Sequence, residues 1–412
     1  MDKSTSVAGP FKRRYFAAFA HRSYRLFWIG ITLSYIGFWM QQVAQGWLVL
    51  RLTDSPLMLG MNSAMGNIPF LVFALYGGAI ADRINRRHMV IFWQISSSVL
   101  MVVMGVLVFS GSVQIWHVFV ISFFAFALAA MAVPARQALL PDLVPKESLV
   151  SAVSMWDASF HGARVLGPAM AGLLVNRFGE ESAFGVYAVG SLAFACSLML
   201  VPGGNPPPCA EKSWKVHRQI VDGFATVRKN REAYTLVLLT AVTAIFASAY
   251  MAILPYFARD ILGGNSVDLG TLMMATGIGA VIGVFMISAL GDFRYKGVVV
   301  LVSFALWGVV TVFFSQSHSF ILSAIFLAMI GFFWGIAETL ANVILLMLLP
   351  PSHHGRVMSM LIWTWGMGFL GSAIVGYFAQ VISVQWALTA VGVYITVATI
   401  VVFALRPSLR KI

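Results

Sequence analysis

The stretch Gly78-Ala-Ile-Ala-Asp82-Arg83-Ile-Asn85-Arg86-Arg87 links two long apolar runs, which extend over about 57–81 and 89–110. Each run is close to the roughly 20 residues that a helix needs to cross a hydrocarbon layer. A charged turn between two such runs predicts a helical hairpin in a membrane. A membrane β-barrel would instead show short segments of alternating hydrophobicity, which the sequence lacks. We therefore expect an all-α integral membrane protein.

The composition agrees with a lipid environment. Hydrophobic residues make up 59% of the 412 residues and charged residues 10%, against about 25% charged in soluble domains. A chain with so few charges cannot cover a water-exposed surface, so lipid is expected to contact most of it. We predict twelve transmembrane helices. They lie near 26–50, 57–81, 89–110, 116–135, 149–176, 182–202, 232–257, 268–290, 298–314, 320–346, 356–379 and 385–405.

Lysine and arginine are distributed unevenly among the segments between these runs. If the N-terminus is inside, 23 of the 27 basic residues lie on that side, including Arg136 after the fourth run. Arg51, Arg177 and Arg259 lie on the other side, and Arg164 lies within a run. The positive-inside rule therefore predicts cytoplasmic termini in a multi-pass protein of the cell inner membrane. The net charge of +12 then indicates contact with anionic lipid rather than with nucleic acid.

The sequence contains an internal repeat. Gly60 and Gly270 each follow a leucine at the start of an apolar run, and they are 210 residues apart. Leu143-Val-Pro145 and Leu348-Leu-Pro350 are 205 residues apart. Parallel repeats are typical of transporters whose halves rock about a central site. The predicted units are an amphipathic cytoplasmic segment at 1–25, a six-helix bundle at 26–202, a cytoplasmic linker at 203–231, a second six-helix bundle at 232–405 and a cytoplasmic tail at 406–412.

The charged loop carries a pattern of its own. Asp82 follows a helix C-terminus, where the helix dipole disfavours an anion, so Asp82 needs a cation or another helix N-terminus as its partner. Arg83, Arg86 and Arg87 can pair with acidic groups or with lipid phosphates. A plain positive loop would explain these arginines, but it would not explain Gly78 and Asp82 in their places.

This pattern resembles the G-x-x-x-D-R/K-x-G-R-R/K loop of the major facilitator superfamily, with Asn85 in place of the second glycine. Because asparagine tolerates a positive φ better than other non-glycine residues, we expect the turn to be kept. The resemblance implies an inner gate in which Asp82 meets the start of the eleventh span near Gly355 and Arg356. The gate residues that it implies are Gly78, Asp82, Arg83, Arg86 and Arg87.

Three further stretches look like one branch of this superfamily, the bacterial exporters that include siderophore and macrolide efflux proteins. They are Trp39-Met-Gln-Gln-Val-Ala-Gln-Gly-Trp47, Gln137-Ala-Leu-Leu-Pro-Asp-Leu-Val-Pro145 and Gly355-Arg-Val-Met-Ser359. The resemblance extends over nearly the whole chain. It implies the two-bundle fold of the superfamily and export of a solute, but it does not name that solute.

The fifth span carries small residues at helical spacing. Ala163, Gly167 and Ala171 recur every four residues, which predicts the close approach of another helix. Pro168 removes a backbone hydrogen bond and can bend the span. Gly167, Pro168 and Gly172 also resemble the G-P-x-x-G-G antiporter motif of the family, with Ala171 replacing one glycine. The resemblance implies proton antiport, whereas ordinary membrane helix packing is the alternative explanation.

Ionisable side chains lie inside two of the predicted spans. Asp157, His161 and Arg164 are spaced i, i+4 and i+7, which places them within about 60° of one another on the fifth span. Glu338 and Asn342 lie one turn apart on the tenth span. Ionisable groups within a membrane usually mark pathways or partners, so we predict proton coupling or substrate binding here. The alternative is a structural ion pair, within span five or between Glu338 and Arg164.

Asn62 and Asn67 on the second span and Thr243 and Tyr250 on the seventh are weaker candidate binding residues than Gln41 and Gln45. Gln41 and Gln45 lie one turn apart on the first span, which by the family resemblance lines a central cavity. Their amides can hydrogen-bond a substrate, although a hydrogen bond between helices is the commoner role. Five tryptophans are candidates for stacking on a planar or lipophilic solute, with membrane-interface anchoring as the alternative. They are Trp39, Trp47, Trp334, Trp363 and Trp365.

Several kinds of chemistry have no support in the sequence. It contains no G-x-x-x-x-G-K-[ST] phosphate loop, no set of metal ligands and no Ser/His/Asp spacing, so we expect neither an enzyme nor a cofactor. We predict a monomeric secondary active transporter that exports a small apolar or amphipathic compound, such as a drug, siderophore or metabolite, against protons by rocker-switch alternating access. The alternatives are uptake or facilitated diffusion, transport of a lysolipid-like solute, and a sensor with a transporter fold.

Overall fold

The computed structural model describes residues 16–81, 84–201, 227–228, 230–247, 249–291, 293–349, 364 and 366–411, and for 74–81, 247 and 411 the backbone alone. Throughout these ranges the regular structure is helical. The predicted linker at 203–231 lies almost wholly outside the described residues, as do the first 15 residues of the predicted N-terminal segment. A short helical turn, Ala17–Ala20, precedes the first long helix.

We number the long helices of the described residues α1 to α12 and divide them into a first half, α1 to α6, and a second half, α7 to α12. The first half contains α1 (Arg22–Thr53), α2 (Pro56–Ala81), α3 (Arg86–Phe109), α4 (Ile115–Leu139), α5 (Leu149–Phe178) and α6 (Glu180–Met199). The second half contains α7 (Arg231–Ala247 and Ala249–Tyr256), α8 (Ser266–Leu290), α9 (Lys296–Ser315), α10 (Phe320–Leu348), α11 (Gly368–Val381) and α12 (Val384–Leu405).

Eight spans in the described part are long and apolar enough to cross a membrane, namely those of α3, α4, α6, α7, α8, α9, α10 and α12. The helices α1 and α5 are not among them, although they contain 32 and 30 residues. Both carry polar side chains along their length, such as Gln41 and Gln45 of α1 and Arg164 of α5. Such helices belong in the interior of a bundle rather than against lipid. The count of twelve spans stays a prediction.

The two halves pack in the same way. In the first half α2 packs against α4, α3 against α4, and α3 against α6. In the second half α8 packs against α10, α9 against α10, and α9 against α12. Each contact in one half has its counterpart six helices later, as the internal repeat predicts.

Two crossings, α2 with α11 and α5 with α8, join the halves. Glycines bring the backbones together at both crossings. A Cβ at Gly60 would lie 2.9 Å from the Cα of Gly376, and a Cβ at Gly270 would lie 3.1 Å from the Cα of Gly172. Gly60 and Gly270 are 210 residues apart, and Gly172 and Gly376 are 204 residues apart. The two crossings are therefore copies of one close approach, at which any larger side chain would collide with backbone.

The helix α8 is confined on a second side as well. Gly279 and Gly283 face α10, where added Cβ atoms would meet the backbone at Ala328 and Phe332. This α8–α10 contact lies within the second half, whereas Gly270 faces α5 of the first half. Small residues therefore set the position of α8 against both of its main neighbours.

Two polar contacts between the halves lie at one end of the molecule, which we call the closed end. Asp54, just after α1, forms an ion pair with Arg259, just after the last α-helical turn of α7. The Ser55 hydroxyl donates a hydrogen bond of 2.7 Å to the side chain of Gln380, near the end of α11. At the opposite end of α5, Asp157 is exposed.

Candidate functional site

Arg164 of α5 lies where the two halves meet. Its side chain is buried, with 5% exposure. The guanidinium lies 4.5 Å from the ring centroid of Trp334 in α10 and 5.6 Å from that of Trp39 in α1. The side chain of Tyr250 in α7 is also near enough to interact with this guanidinium. A cation of the first half is thus held by aromatic side chains from both halves, and the contacts with the second half must change if the halves move apart.

Glu338 and Asn342 of α10 are half-buried near this cluster. The carboxylate of Glu338 is near enough to Arg164 for the two charges to interact. In the described part of the chain, however, no carboxylate oxygen lies within 4.0 Å of the Arg164 guanidinium. The predicted alternative of a structural pair between Glu338 and Arg164 is therefore not closed in this conformation.

Asp157, His161 and Arg164 become progressively more enclosed along α5. Asp157 is exposed, His161 is half-buried and Arg164 is buried. The Nδ1 atom of His161 is enclosed and has no hydrogen-bond partner among the described residues. No ion pair within this set occurs in the same part of the chain. The set therefore forms a line of polar groups that leads from the surface to the interface between the halves.

A second buried cation, Arg136, was missed by the sequence analysis. We assigned Arg136 to a cytoplasmic segment, but α4 continues to Leu139 and the side chain is 8% exposed. Its guanidinium lies 5.9 Å from the ring centroid of Tyr35. The Tyr35 hydroxyl accepts a hydrogen bond of 2.8 Å from the Trp156 indole, and the Tyr35 ring packs edge-on against Phe160 at 5.2 Å. The assignment was wrong because an aromatic environment keeps this arginine inside the helix bundle.

Gln41 and Gln45 are buried within the first half. The amide of Gln41 donates to the side chain of Gln45. Gln45 in turn donates to Asn62 of α2 at 2.7 Å and to Ser122 of α4 at 2.6 Å. Their amides thus bond α1 to α2 and α4 in this conformation, which corresponds to the commoner of the two roles. Substrate binding by either glutamine stays a prediction.

The charged loop is partly described. Asp82 and Arg83, together with the predicted contact region at Gly355 and Arg356, lie outside the described residues, and of Gly78 the backbone alone is described, within α2. The proposed inner gate therefore stays a prediction.

The described part of this loop differs from the expectation at Asn85. We expected Asn85 to replace a glycine at positive φ, but its φ is −55°. Its side chain instead accepts a hydrogen bond of 3.2 Å from the backbone N–H of His88, which caps the start of α3. The expectation was wrong because asparagine is also a preferred N-cap residue, and that role decides its conformation here.

Arg86 and Arg87 contact the first half alone among the described residues. Arg86 lies 3.7 Å from Asp142 and donates to the carbonyl of Ala138 at 3.1 Å. Arg87 donates to two carbonyls at the end of α6, those of Leu198 at 2.7 Å and Met199 at 2.6 Å. These bonds fasten the start of α3 to α4 and α6.

The packing motif of α5 contacts two different helices. A Cβ at Gly167 would lie 2.6 Å from the Cβ of Trp39 in α1, so this position packs within the first half. A Cβ at Gly172 would lie 2.9 Å from the Cα of Val267 in α8, so this position packs against the second half. The helix continues through Pro168, whose carbonyl faces Gly270. The motif therefore positions the first half against the second close to Arg164.

The described residues include no group of three His, Cys, Asp or Glu side chains placed to hold a metal ion. The candidate site presents guanidinium, carboxylate, imidazole and aromatic groups. These groups can bind a proton or an amphipathic solute.

Sequence comparison relates the chain to membrane transporters, two of which are named as efflux or export proteins. The family model described as "Transmembrane secretion effector" matches residues 14–411. The chain is 25% identical to the staphyloferrin A transporter of Staphylococcus aureus over 397 residues, covering 94% of this chain and 97% of the relative. It is 22% identical to macrolide efflux protein A of Streptococcus pyogenes, covering 81% and 83%. It is 21% identical to the enterobactin exporter EntS of Escherichia coli, covering 95% and 93%.

Solved structures share the fold. The nucleoside transporter NupG superposes with a TM-score of 0.75 at 12% identity, covering 93% of this chain and 98% of NupG. A bacterial homologue of the human lysosomal transporter Spinster, in an inward-facing and occupied conformation, superposes with a TM-score of 0.72 at 13% identity, covering 95% and 99%. These matches confirm the all-α membrane fold predicted from the sequence.

Proposed function

The chain belongs to the transmembrane secretion effector family of the major facilitator superfamily, and we propose that it exports its substrate in exchange for protons. As a member of this family it is a multi-pass membrane transporter of small molecules and not an enzyme. The proposed substrate is a small apolar or amphipathic compound. The relatives named as a macrolide efflux protein and an enterobactin exporter support this direction. Together with the staphyloferrin A transporter they support this substrate range.

The observation that carries the proposal is the position of Arg164. This buried cation bridges the halves through Tyr250 and Trp334 and has Glu338 nearby without an ion pair. In the proposed cycle, protonation of Glu338 removes the negative charge that faces Arg164. Substrate and proton compete because both act at this region of the interface between the halves. Because the charge of Arg164 is removed from water at an interface that moves, protonation of Glu338 directly shifts the equilibrium between conformations.

The proposed mechanism is rocker-switch alternating access about the two glycine crossings. The uneven distribution of basic residues supports an orientation with both termini in the cytoplasm, in the inner membrane, and with Asp54 and Arg259 on the outer side. In that orientation the closed end is the outer end. Export then requires the closed end to separate while the halves remain in contact elsewhere.

The test is transport by the purified full-length protein in proteoliposomes. Erythromycin, staphyloferrin A and enterobactin serve as probes, each with and without an imposed pH gradient. For a probe that is transported, we expect the gradient to accelerate flux, and Glu338→Gln to abolish that acceleration while counterflow of the probe continues. Glu147→Gln, which removes an exposed carboxylate from the turn before α5, is the matched control.

The same assay distinguishes the alternatives. Flux of a probe that never responds to the pH gradient would contradict proton antiport and would favour facilitated diffusion. Binding of a probe without any flux would favour a sensor. A gradient response that survives in Glu338→Gln would exclude this carboxylate and shift the proposal to Asp157 or His161.

A further inference from the structure

Each half has a cavity between the start of its first helix and the end of its last helix. The cavity of the first half has a volume of about 500 Å³, and that of the second half has a volume of about 250 Å³. The first cavity is lined by Arg22, Ser23 and Leu26 of α1, Arg87 of α3, and Met199, Leu200 and Val201. Both cavities lie at the end of the molecule away from Asp54 and Arg259. The recurrence in both halves indicates a feature of the repeated unit.

The first cavity has two positive charges. Arg87 is held in place because it donates to the carbonyls of Leu198 and Met199. These carbonyls accept two of its five N–H groups and leave its full charge in place. Arg22 at the start of α1 is exposed. No carboxylate of the described residues lies within 4.0 Å of either guanidinium, so the cavity favours an anion, and the hydroxyl of Ser23 adds a hydrogen-bond donor.

Aliphatic side chains surround the same cavity. Met199 and Leu200 at the end of α6 are 51% and 64% exposed, and Leu26 of α1 is half-buried. These residues begin and end transmembrane helices, so they lie at the boundary between hydrocarbon and headgroups. A soluble anion would gain nothing from such a surface, whereas a lipid would place its acyl chains against it.

We propose that the cavity of the first half binds the headgroup phosphate of an anionic phospholipid. Arg22 and Arg87 contact the phosphate, Ser23 donates a hydrogen bond to the headgroup, and the acyl chains run along Leu26 and Leu200. Because Arg87 also fastens α3 to α6, a bound lipid stabilises the junction of these helices with α1.

The cavity of the second half provides an internal comparison. It contains two arginines, Arg231 and Arg406, but also the carboxylate of Glu232. Its net charge is therefore lower by one, and its volume is half as large. We expect this second cavity to bind the same lipid more weakly.

Native mass spectrometry of the full-length protein tests this proposal. The protein is titrated in detergent with phosphatidylglycerol, with neutral phosphatidylcholine or with inorganic phosphate. We expect preferential retention of phosphatidylglycerol, and we expect Arg22→Gln to weaken it about fivefold, in line with ~1 kcal/mol for one basic residue near an anionic lipid surface. Arg22→Lys should largely restore retention, and Arg406→Gln should have the smaller effect.

Arg177→Gln is the matched control, because Arg177 is an exposed arginine at the end of α5 that lies near the closed end of the molecule. Equal retention of phosphatidylglycerol by Arg22→Gln and Arg177→Gln would overturn the proposal. Displacement of the lipid by millimolar inorganic phosphate would also overturn it, because the cavity would then be a site for free phosphate. If Arg22→Gln fails to fold, Arg22→Lys and the phosphate competition on the unmodified protein still decide between these outcomes.

Discussion

The crossing of α5 with α8 and that of α2 with α11 are built alike but are charged differently. Gly270 meets Gly172 at the first crossing, and Gly60 meets Gly376 at the second. Eight residues before Gly172, α5 carries Arg164, whereas the position eight residues before Gly376 in α11 is Gly368. The close helix packing therefore occurs at both crossings, whereas the charge of Arg164 is present at the crossing of α5 with α8 alone.

The helices α4 and α10 show the same difference. Glu338 of α10 corresponds to Val133 of α4 at the 205-residue spacing, and Arg136 of α4 corresponds to Ala341 of α10. These two charged groups therefore have no counterparts in the other half. The comparison teaches that shared positions hold the fold together, whereas the candidate function lies where the halves differ.

The largest effect is expected from a side chain added at a crossing. Gly270→Ala and Gly60→Ala place a Cβ against backbone that cannot move aside, and each should destabilise the protein by about 3 kcal/mol, the upper end for overpacking. Thermal unfolding in detergent, together with transport in proteoliposomes, measures the loss. Gly162→Ala on α5 is the control, because a Cβ there meets nothing within 4 Å. Unequal losses at Gly270 and Gly60 would break the equivalence of the two crossings.

An intermediate effect is expected from changing Arg164, the side chain that distinguishes the two crossings. Arg164→Lys keeps the positive charge but loses the planar group that stacks on Trp334, so transport should fall about tenfold, or ~1.4 kcal/mol. Protein abundance should stay unchanged, as judged by size-exclusion chromatography. Arg177→Lys on the same helix should leave transport intact. A parallel fall in abundance and transport in Arg164→Lys would instead indicate a structural role.

The smallest effect is expected at the closed end. Asp54→Asn removes the ion pair with Arg259 between the halves, and because Asp54 is largely exposed, the cost should stay below about 1 kcal/mol. Hydrogen–deuterium exchange should rise in the turn between α1 and α2 and in the segment after α7. Glu180→Gln is the control, since it breaks an ion pair with Arg51 inside the first half. Equal exchange at the α7 segment in both variants would contradict a role for Asp54 between the halves.

Much of the fold was predictable because lipid imposes length and polarity on each span. The apolar runs located the helices, and the 210-residue spacing of Gly60 and Gly270 predicted an internal repeat. The position of Arg136 was predicted wrongly, because the sequence does not show whether an arginine near a helix end faces water or an aromatic ring such as that of Tyr35. Asn85 was assigned the wrong conformation because the residue suits both a positive φ and a helix cap.

The candidate site was predictable as a set of residues but not as an arrangement. The spacing of Asp157, His161 and Arg164 predicted that they share one face of α5, but such spacing describes positions on a single helix only. The convergence of Tyr250 and Trp334 on Arg164 joins three helices, and no sequence spacing encodes it. For Gln41 and Gln45 the spacing was correct, but it could not distinguish a bond to neighbouring helices from a bond to a solute.

The confinement of α8 has an evolutionary consequence. Glycines on one side of this helix meet α5, and glycines on another side meet α10, so larger residues are excluded from both sides. Most random substitutions on those sides should therefore be lost by selection. Ile282 and Phe285, which are 54% and 68% exposed, are free of this constraint. As lineages diverge, α8 should drift in sequence mainly along the side that carries these two residues.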